Sequence, residues 1–360
     1  MSKLGGYAAA ALDSLTPAQL SFLQSLPKAE LHAHLNGSIP LPVLQDLARS
    51  YLQVHASELH TLSSDVVREG IERLVQGVTL GQIHEFFDLF PAIYALTSTP
   101  VALAAAARAV LEHFLSISDG YVQAAYLELR TTPRETFSMS RLRYLETVLD
   151  EVERYPASQA ALIVSLDRRM LPEVALDCVN CAIQLRQMKR RVVGVDLCGD
   201  PRAGNMTEFA QHFRAAKEAG LGITLHIAEI EESPSAEIHQ LLSFNPDRLG
   251  HATFLDDSSK ILVREHKLCI EICLSSNLLC KTVRDLDAHH IRYFLQHNHP
   301  IAICTDDILP FRNSLLGEYA MLMAVPPHGL GLTKSEIEKV AQMGLNCRFG
   351  TRKSSRYLQN

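Results

Sequence analysis

The sequence predicts an α/β fold, a TIM (β/α)8 barrel with a helical insertion after strand one and extra helices at the C-terminus. Three observations lead to it. Eight short runs rich in β-branched and apolar residues lie along the chain, several of them apolar on both faces, as parallel strands buried between layers must be. Helical patterns separate the runs, and this alternation builds a parallel sheet that eight units close most naturally into a barrel. Neither G-x-G-x-x-G nor G-x-x-x-x-G-K-[ST] follows any run, which removes the phosphate-binding signature of an open, doubly wound sheet.

The first run is 29–35 (AELHAHL), and residues 36–123 separate it from the second, 124–130 (AAYLELR). Helical patterns at 42–54, 82–96 and 101–117 make that long connection a helical insertion beside the barrel mouth. A helix is expected over 140–154, then run three, 160–167 (AALIVSLD), and a helix over 172–188. Run four, 192–197 (VVGVDL), leads to a helix over 205–219 that Gly220 stops, and then to run five, 222–228 (GITLHIA). Runs six, 248–252 (RLGHA), and seven, 268–274 (LCIEICL), precede a helix over 285–297 and run eight, 300–305 (PIAICT). Beyond Arg312 two more helical patterns flank 325–332 (VPPHGLGL). No repeat or low-complexity linker divides the chain, so 1–360 reads as one domain with 36–123 inserted in it.

Composition narrows the function classes. Apolar residues make up 47% and charged residues 21%, an ordinary globular balance. With 34 Lys+Arg against 40 Asp+Glu the net charge is −6, which argues against a protein that grips a nucleic-acid backbone. No apolar stretch reaches the length that spans a membrane. The N-terminus, with one Lys and an Ala run broken by Asp13, is weak as a secretory signal. Most of the eight Cys sit inside apolar runs, as buried free thiols do in a reducing compartment, so a cytoplasmic chain is expected; a monomer is the expected state. Cys178 and Cys181 fall in a helical pattern without a second pair at zinc-ribbon spacing and read as core.

Catalytic groups of such barrels come from the C-terminal ends of strands. Most of the runs end in an ionisable group: His32 and His34, Arg130, Asp167, Asp196 with Asp200, His226 with Glu229, His251, and Asp306 with Asp307. A packed core has no use for so many. Two residues apart on a strand, His32 and His34 point to one face and can converge on one ion. In a chain with 16 histidines a lone H-x-H means little, and His297-Asn298-His299, ahead of run eight, is expected to be a solvated loop. His226 adds a third imidazole and Asp306 a hard oxygen. Three imidazoles, one carboxylate and an open position suit a catalytic zinc, which brings the pKa of a bound water to roughly 7. Glu229, just past its strand, is placed as a proton shuttle, and His251 is placed to hold or deprotonate the water. A two-metal barrel needs a bridging Lys or carboxylate from a middle strand. The stretch VVGVDLCGD has no Lys, so one zinc per chain is expected.

These residues carry a resemblance. LPKAELHAHLNGSI, VVGVDLCGDP, TLHIAE, DRLGHA, EICLSSN and ICTDD, in this order between Leu26 and Asp307, resemble the adenosine deaminase branch of the metal-dependent hydrolases. Within that branch the chain is similar to the group acting on N6-methyl-AMP. The resemblance implies zinc on His32, His34, His226 and Asp306, Glu229 as proton donor to the purine ring, and His251 and Asp307 as partners of the attacking hydroxide and the substrate. It also implies that the Gly199 backbone contacts the purine, with His34 and Asp167 lining the substrate. Nucleoside enzymes of the branch usually read H-x-H-x-D-G, whereas this chain has Asn36. A neutral amide removes the repulsion that a carboxylate exerts on a phosphate dianion. Thr132-Pro133-Arg134 resembles the Thr-Pro-Arg of the nucleotide branch, where Arg134 supplies a forked phosphate contact and Thr132 a hydroxyl. Glu135 and Tyr94 depart from that branch, which tends to have Arg and His there. The expected reaction is hydrolysis of N6-methyl-AMP to IMP and methylamine. Adenosine or adenine is the alternative substrate by the same chemistry. A non-catalytic purine-binding protein predicts a lost ligand or acid, and none is missing; a two-metal hydrolase lacks its bridging Lys.

Overall fold

The computed structural model describes residues 4–54, 65–76 and 88–349. Eight strands follow one another around a parallel sheet: β1 Ala29–Glu30, β2 Tyr126–Thr131, β3 Ala160–Asp167, β4 Val192–Cys198, β5 Gly222–Ile227, β6 Arg248–His251, β7 Cys269–Ile272 and β8 Ile301–Ile303. Every neighbouring pair from β1/β2 to β7/β8 is parallel. The ends of the sheet meet where the His34 amide donates to the Asp306 carbonyl at 3.2 Å. The architecture is the expected TIM barrel, and its strands are buried on both faces, as the continuous apolar runs require.

Run one is longer than its ladder. The Glu30 carboxylate accepts the His32 amide at 2.8 Å, so the regular pattern stops at Glu30. The chain nevertheless stays beside β2, since Arg130 donates to Ala33 and Leu35 donates to Arg130. His32 and His34 therefore remain side by side, with ring centroids 5.3 Å apart.

Helices Arg141–Val152 and Pro172–Gln187 lie close to the predicted spans, the first capped by the Ser140 hydroxyl. Cys178 and Cys181 are buried on the second. The expected 205–219 helix splits into a 3₁₀ turn, Met206–Phe209, and the helix Ala210–Glu218. The expected 285–297 helix shrinks to Ile291–Gln296. Here side chains take the amides that a longer helix would use: Asp285 accepts from Ala288, and His289 Nδ1 from Ile291. Between β1 and β2 the helices Leu41–Val54, Asp65–Gln76, Phe90–Leu96 and Pro100–Leu115 are seen; residues 82–87 of the expected 82–96 helix lie outside the described residues. The tail forms Leu315–Met323 and Lys334–Asn346, the second opened by a Thr333/Glu336 capping box.

His297-Asn298-His299 corrects an expectation in part. His299 is buried, and its Nε2 donates to the Leu268 carbonyl at 2.6 Å, so it is a satisfied core histidine rather than a solvated one. The tail also does something its sequence did not announce. Phe349 closes the N-terminal end of the barrel, its ring 3.7 Å from the Arg248 guanidinium. It fits because β4 and β5 present Gly194 and Gly222; a Cβ on either would lie 2.5 Å from the ring.

Candidate active site

The C-terminal strand ends converge on a cavity of about 1290 Å³. Among its lining groups are His34, His226, Glu229, His251, Asp306 and Asp307, together with Asn36, Thr132, Pro133, Arg134, Asp167 and Gly199. His32 lies beneath it, fully buried. The nitrogen atoms of His32, His34 and His226 lie within 4.8 Å of one another, and so do donor atoms of His32, His251 and Asp306. His34 and His226 face each other Nε2 to Nε2 at 3.2 Å. Asp306 Oδ1 is 3.7 Å from His32 Nε2 and 3.6 Å from His34 Nε2.

These groups fit a cation. His32 Nδ1 is bound to Glu271 at 2.5 Å, and His226 Nδ1 to Asp196 at 3.1 Å. Each carboxylate fixes the proton on Nδ1 and leaves Nε2 as a bare lone pair directed inward, the tautomer a metal ligand needs. His32 Nε2 is buried with no hydrogen-bond partner. Burial, reinforced by the nearby Arg130 charge, holds His32 well below the ordinary histidine range, and burial acts the same way on His34. Imidazole nitrogens turned toward one carboxylate fit a metal site.

The carboxylates behind the imidazoles are tied down in turn. Asp196 accepts from the Ser165 hydroxyl and pairs with Arg130 at 3.3 Å. Although burial pushes its pKa up, the Arg130 charge and the hydrogen bond from His226 Nδ1 hold Asp196 at about 2. Glu271 accepts from Arg130, Thr224 and Arg248 as well as His32. Glu271, Asp196 and Arg130 are thus the positioning shell that the strand-end reading did not resolve. A charged residue in the middle of an apolar run, as Glu271 is in LCIEICL, was the available signal.

The backbone is bent to aim these groups. Ala228, just before Glu229, has φ +48°, His251 +60°, Ala252 +51° and Asp306 +64°. Non-glycine residues held there cost about 1–3 kcal/mol each, and such strain clusters at sites where it positions reacting groups. His251 Nε2 lies 3.7 Å from Glu229 Oε1. Burial pushes the Glu229 carboxyl above its usual range and His251 down to about 4. Burial thus favours the protonated form of the carboxyl and the neutral form of the imidazole.

Two glycines make room around these groups. Gly199, at φ +101°, has space for no Cβ, which would lie 2.7 Å from Asp167 Oδ1. A Cβ on Gly37 would fall 1.7 Å from Asp307 Oδ1, an atom buried with no hydrogen-bond partner. Asp167 itself is held by Arg169, through two guanidinium contacts at 2.9 and 2.6 Å.

Residues 27–360 match the adenosine deaminase family profile. The chain belongs to the adenosine deaminase family. It is 32% identical to an N6-mAMP deaminase of Arabidopsis thaliana, over 92% of this chain and 94% of that one. To an N6-methyl-AMP deaminase of Danio rerio it is 34% identical, over 91% and 92% of the two chains. An Arabidopsis relative solved in complex with IMP superposes with a TM-score of 0.76 at 33% identity, covering 91% of this chain and 94% of that one. As a member of the adenosine deaminase family the chain is an aminohydrolase of a metal-dependent kind, and its cluster of imidazoles and carboxylate fits a metal site.

Proposed function

We propose that the chain hydrolyses N6-methyl-AMP to IMP and methylamine. The observation that carries the substrate is the second polar cluster of the cavity. Asn36 is neutral, with its amide 3.4 Å from the Thr97 hydroxyl, and Arg134 stands in the same cavity. The Arg134 guanidinium lies 3.4 Å from the Tyr94 ring centroid, and its Nε is buried without a hydrogen-bond partner. A cation stacked on an aromatic face is pre-ordered for a planar, forked contact to a phosphate. Tyr94 thus supports Arg134, and Glu135 spends its charge on Arg141 at 2.8 Å. The named activity of the relatives and the IMP complex point the same way.

His32, His34, His226 and Asp306 would hold the metal, and three imidazoles with one carboxylate favour zinc, whose Lewis acidity makes water a nucleophile near neutral pH. The chain's own groups then move the protons. His251 takes one proton as the water oxygen adds to C6, and Glu229 gives its proton to the adjacent ring nitrogen. The C6–N bond breaks as the His251 proton passes to the departing methylamine, and the remaining oxygen-bound proton returns Glu229 to its acid form. Asp307, a cavity-lining carboxylate for which the missing side chain of Gly37 leaves room, would face the substrate.

Arg134→Ala is expected to reduce kcat/KM for N6-methyl-AMP by about 10- to 100-fold, the worth of a charge-assisted contact, with N6-methyladenosine unaffected. Comparing kcat/KM for N6-methyl-AMP, AMP, N6-methyladenosine and adenosine checks this. A nucleotide preference that survives the substitution places the phosphate elsewhere, and a wild-type preference for adenosine makes the chain a nucleoside enzyme. Gly37→Ala is expected to displace Asp307 and to lower kcat by about 10- to 100-fold, the scale of an ångström-sized misplacement. Steady-state kinetics with metal content measured alongside tests it; unchanged kcat would remove Asp307 from the reaction.

A further inference from the structure

Three imidazoles of the cluster, His32, His226 and His251, are held in different ways. His32 and His226 are oriented through Nδ1, by Glu271 and Asp196. His251 has no such partner, and its Nδ1 is buried and unbonded. Its ring must therefore be aimed through its backbone, and that backbone is in the left-handed region at both His251 and Ala252. Such a conformation persists only where surrounding contacts over-determine it. One side chain supplies that contact from outside the barrel. His290 Nε2 donates to the His251 carbonyl at 2.9 Å.

His290 is itself held firmly. Its ring stacks on His289 with centroids 4.4 Å apart and planes inclined by 20°, and meets the Phe294 ring nearly edge-on. His289 is anchored by accepting the Ile291 amide on Nδ1. Burial pushes His290 down to about 3, so the ring is neutral, and a carbonyl partner requires the proton on Nε2.

We propose that His290 is a positioning residue for the deamination: its hydrogen bond to the His251 carbonyl holds the left-handed turn that directs His251 Nε2 toward Glu229 and the reacting water. The inference rests on reading His251 as the proton acceptor. It assigns the His289–His290 stack the part that Glu271 and Asp196 play for the two ligand histidines, acting on main chain instead of Nδ1.

Three substitutions separate the bond from the packing. His290→Phe keeps an aromatic ring on His289 and removes the donor. His290→Met and His290→Gln are close in shape and differ in the donor. The holoenzyme variants are expected to show kcat lowered by roughly 10- to 100-fold for Phe and Met, with KM and bound metal near wild type. His290→Gln is expected to recover kcat to within about 3-fold, an amide N–H replacing the imidazole donor. A purely structural role would lower thermal stability without splitting kcat from KM. Wild-type kcat in the Met variant overturns the proposal, as does a Gln variant no faster than Met. If Phe does not fold, the Met/Gln pair decides alone. His251→Ala run in parallel tests the underlying reading: undiminished turnover there removes His251 from the reaction, whereas a slow His251→Ala beside a normal His290→Met rejects only the role of His290.

Discussion

Glu229→Gln is expected to lower kcat by about 10²- to 10⁴-fold, the usual worth of a positioned general acid or base, while the protein keeps its metal. The amide matches the carboxyl in size and can occupy the same place at the cavity wall, but it has no proton to give. Glu229 is not among the groups whose donor atoms cluster as a metal site, so metal content should not change. The pH dependence carries a second signature. Burial pushes the Glu229 carboxyl above its usual range, because leaving water costs the charged form most. The donor works protonated, so kcat should decline as pH rises through that raised value. Activity should therefore persist at pH values where an ordinary Glu has already lost its proton. In Glu229→Gln this alkaline limb should vanish. Near-normal turnover of the metal-loaded variant would falsify the proton-donor assignment.

The groups at the cavity were legible because a parallel barrel gathers the C-terminal ends of its strands at one mouth. Once the runs were placed, His32, His34, His226, His251 and Asp306 had to be neighbours, and they are. What supports them was less legible, because it depends on registers around the closed sheet. Glu271 reaches His32 across 239 residues of chain, and nothing local to LCIEICL says which histidine it faces. Asp196 and Arg130 were visible as ionisable strand ends, but not that they pair with each other or that Asp196 also holds His226. Loop geometry was equally hidden: the clash that Gly37 avoids with Asp307 joins residues at opposite ends of the sequence. The short helix at 291–296 shows the converse, local side-chain hydrogen bonds overriding a plausible helical period.

Glu271→Ala is expected to destabilise the fold by about 3–5 kcal/mol, the cost of stranding buried partner charges. That is a large share of the roughly 5–15 kcal/mol that holds a protein folded. Glu271, Arg130 and Arg248 are all fully buried. Burial alone pushes the Glu271 pKa up, but the Arg130 and Arg248 charges hold it well below the usual carboxylate range. Removing it leaves two guanidinium groups without their shared anion and His32 Nδ1 without its acceptor. Because the folded pKa is depressed, this contribution is fully present above the unfolded value and is lost as pH falls through the folded one. Urea unfolding of the parent and the variant at neutral pH measures the loss. Metal affinity should fall with it, by about 10- to 100-fold, since His32 loses the partner that sets its tautomer. Glu271→Gln separates the two effects: it keeps the volume and two of the polar contacts, but not the charge. If Gln restores metal affinity without stability, the charge serves the arginines and the shape serves His32. An Ala variant that unfolds with the parent would show that Glu128, 2.6 Å from Arg248, and Asp196, 3.3 Å from Arg130, suffice for the buried cations.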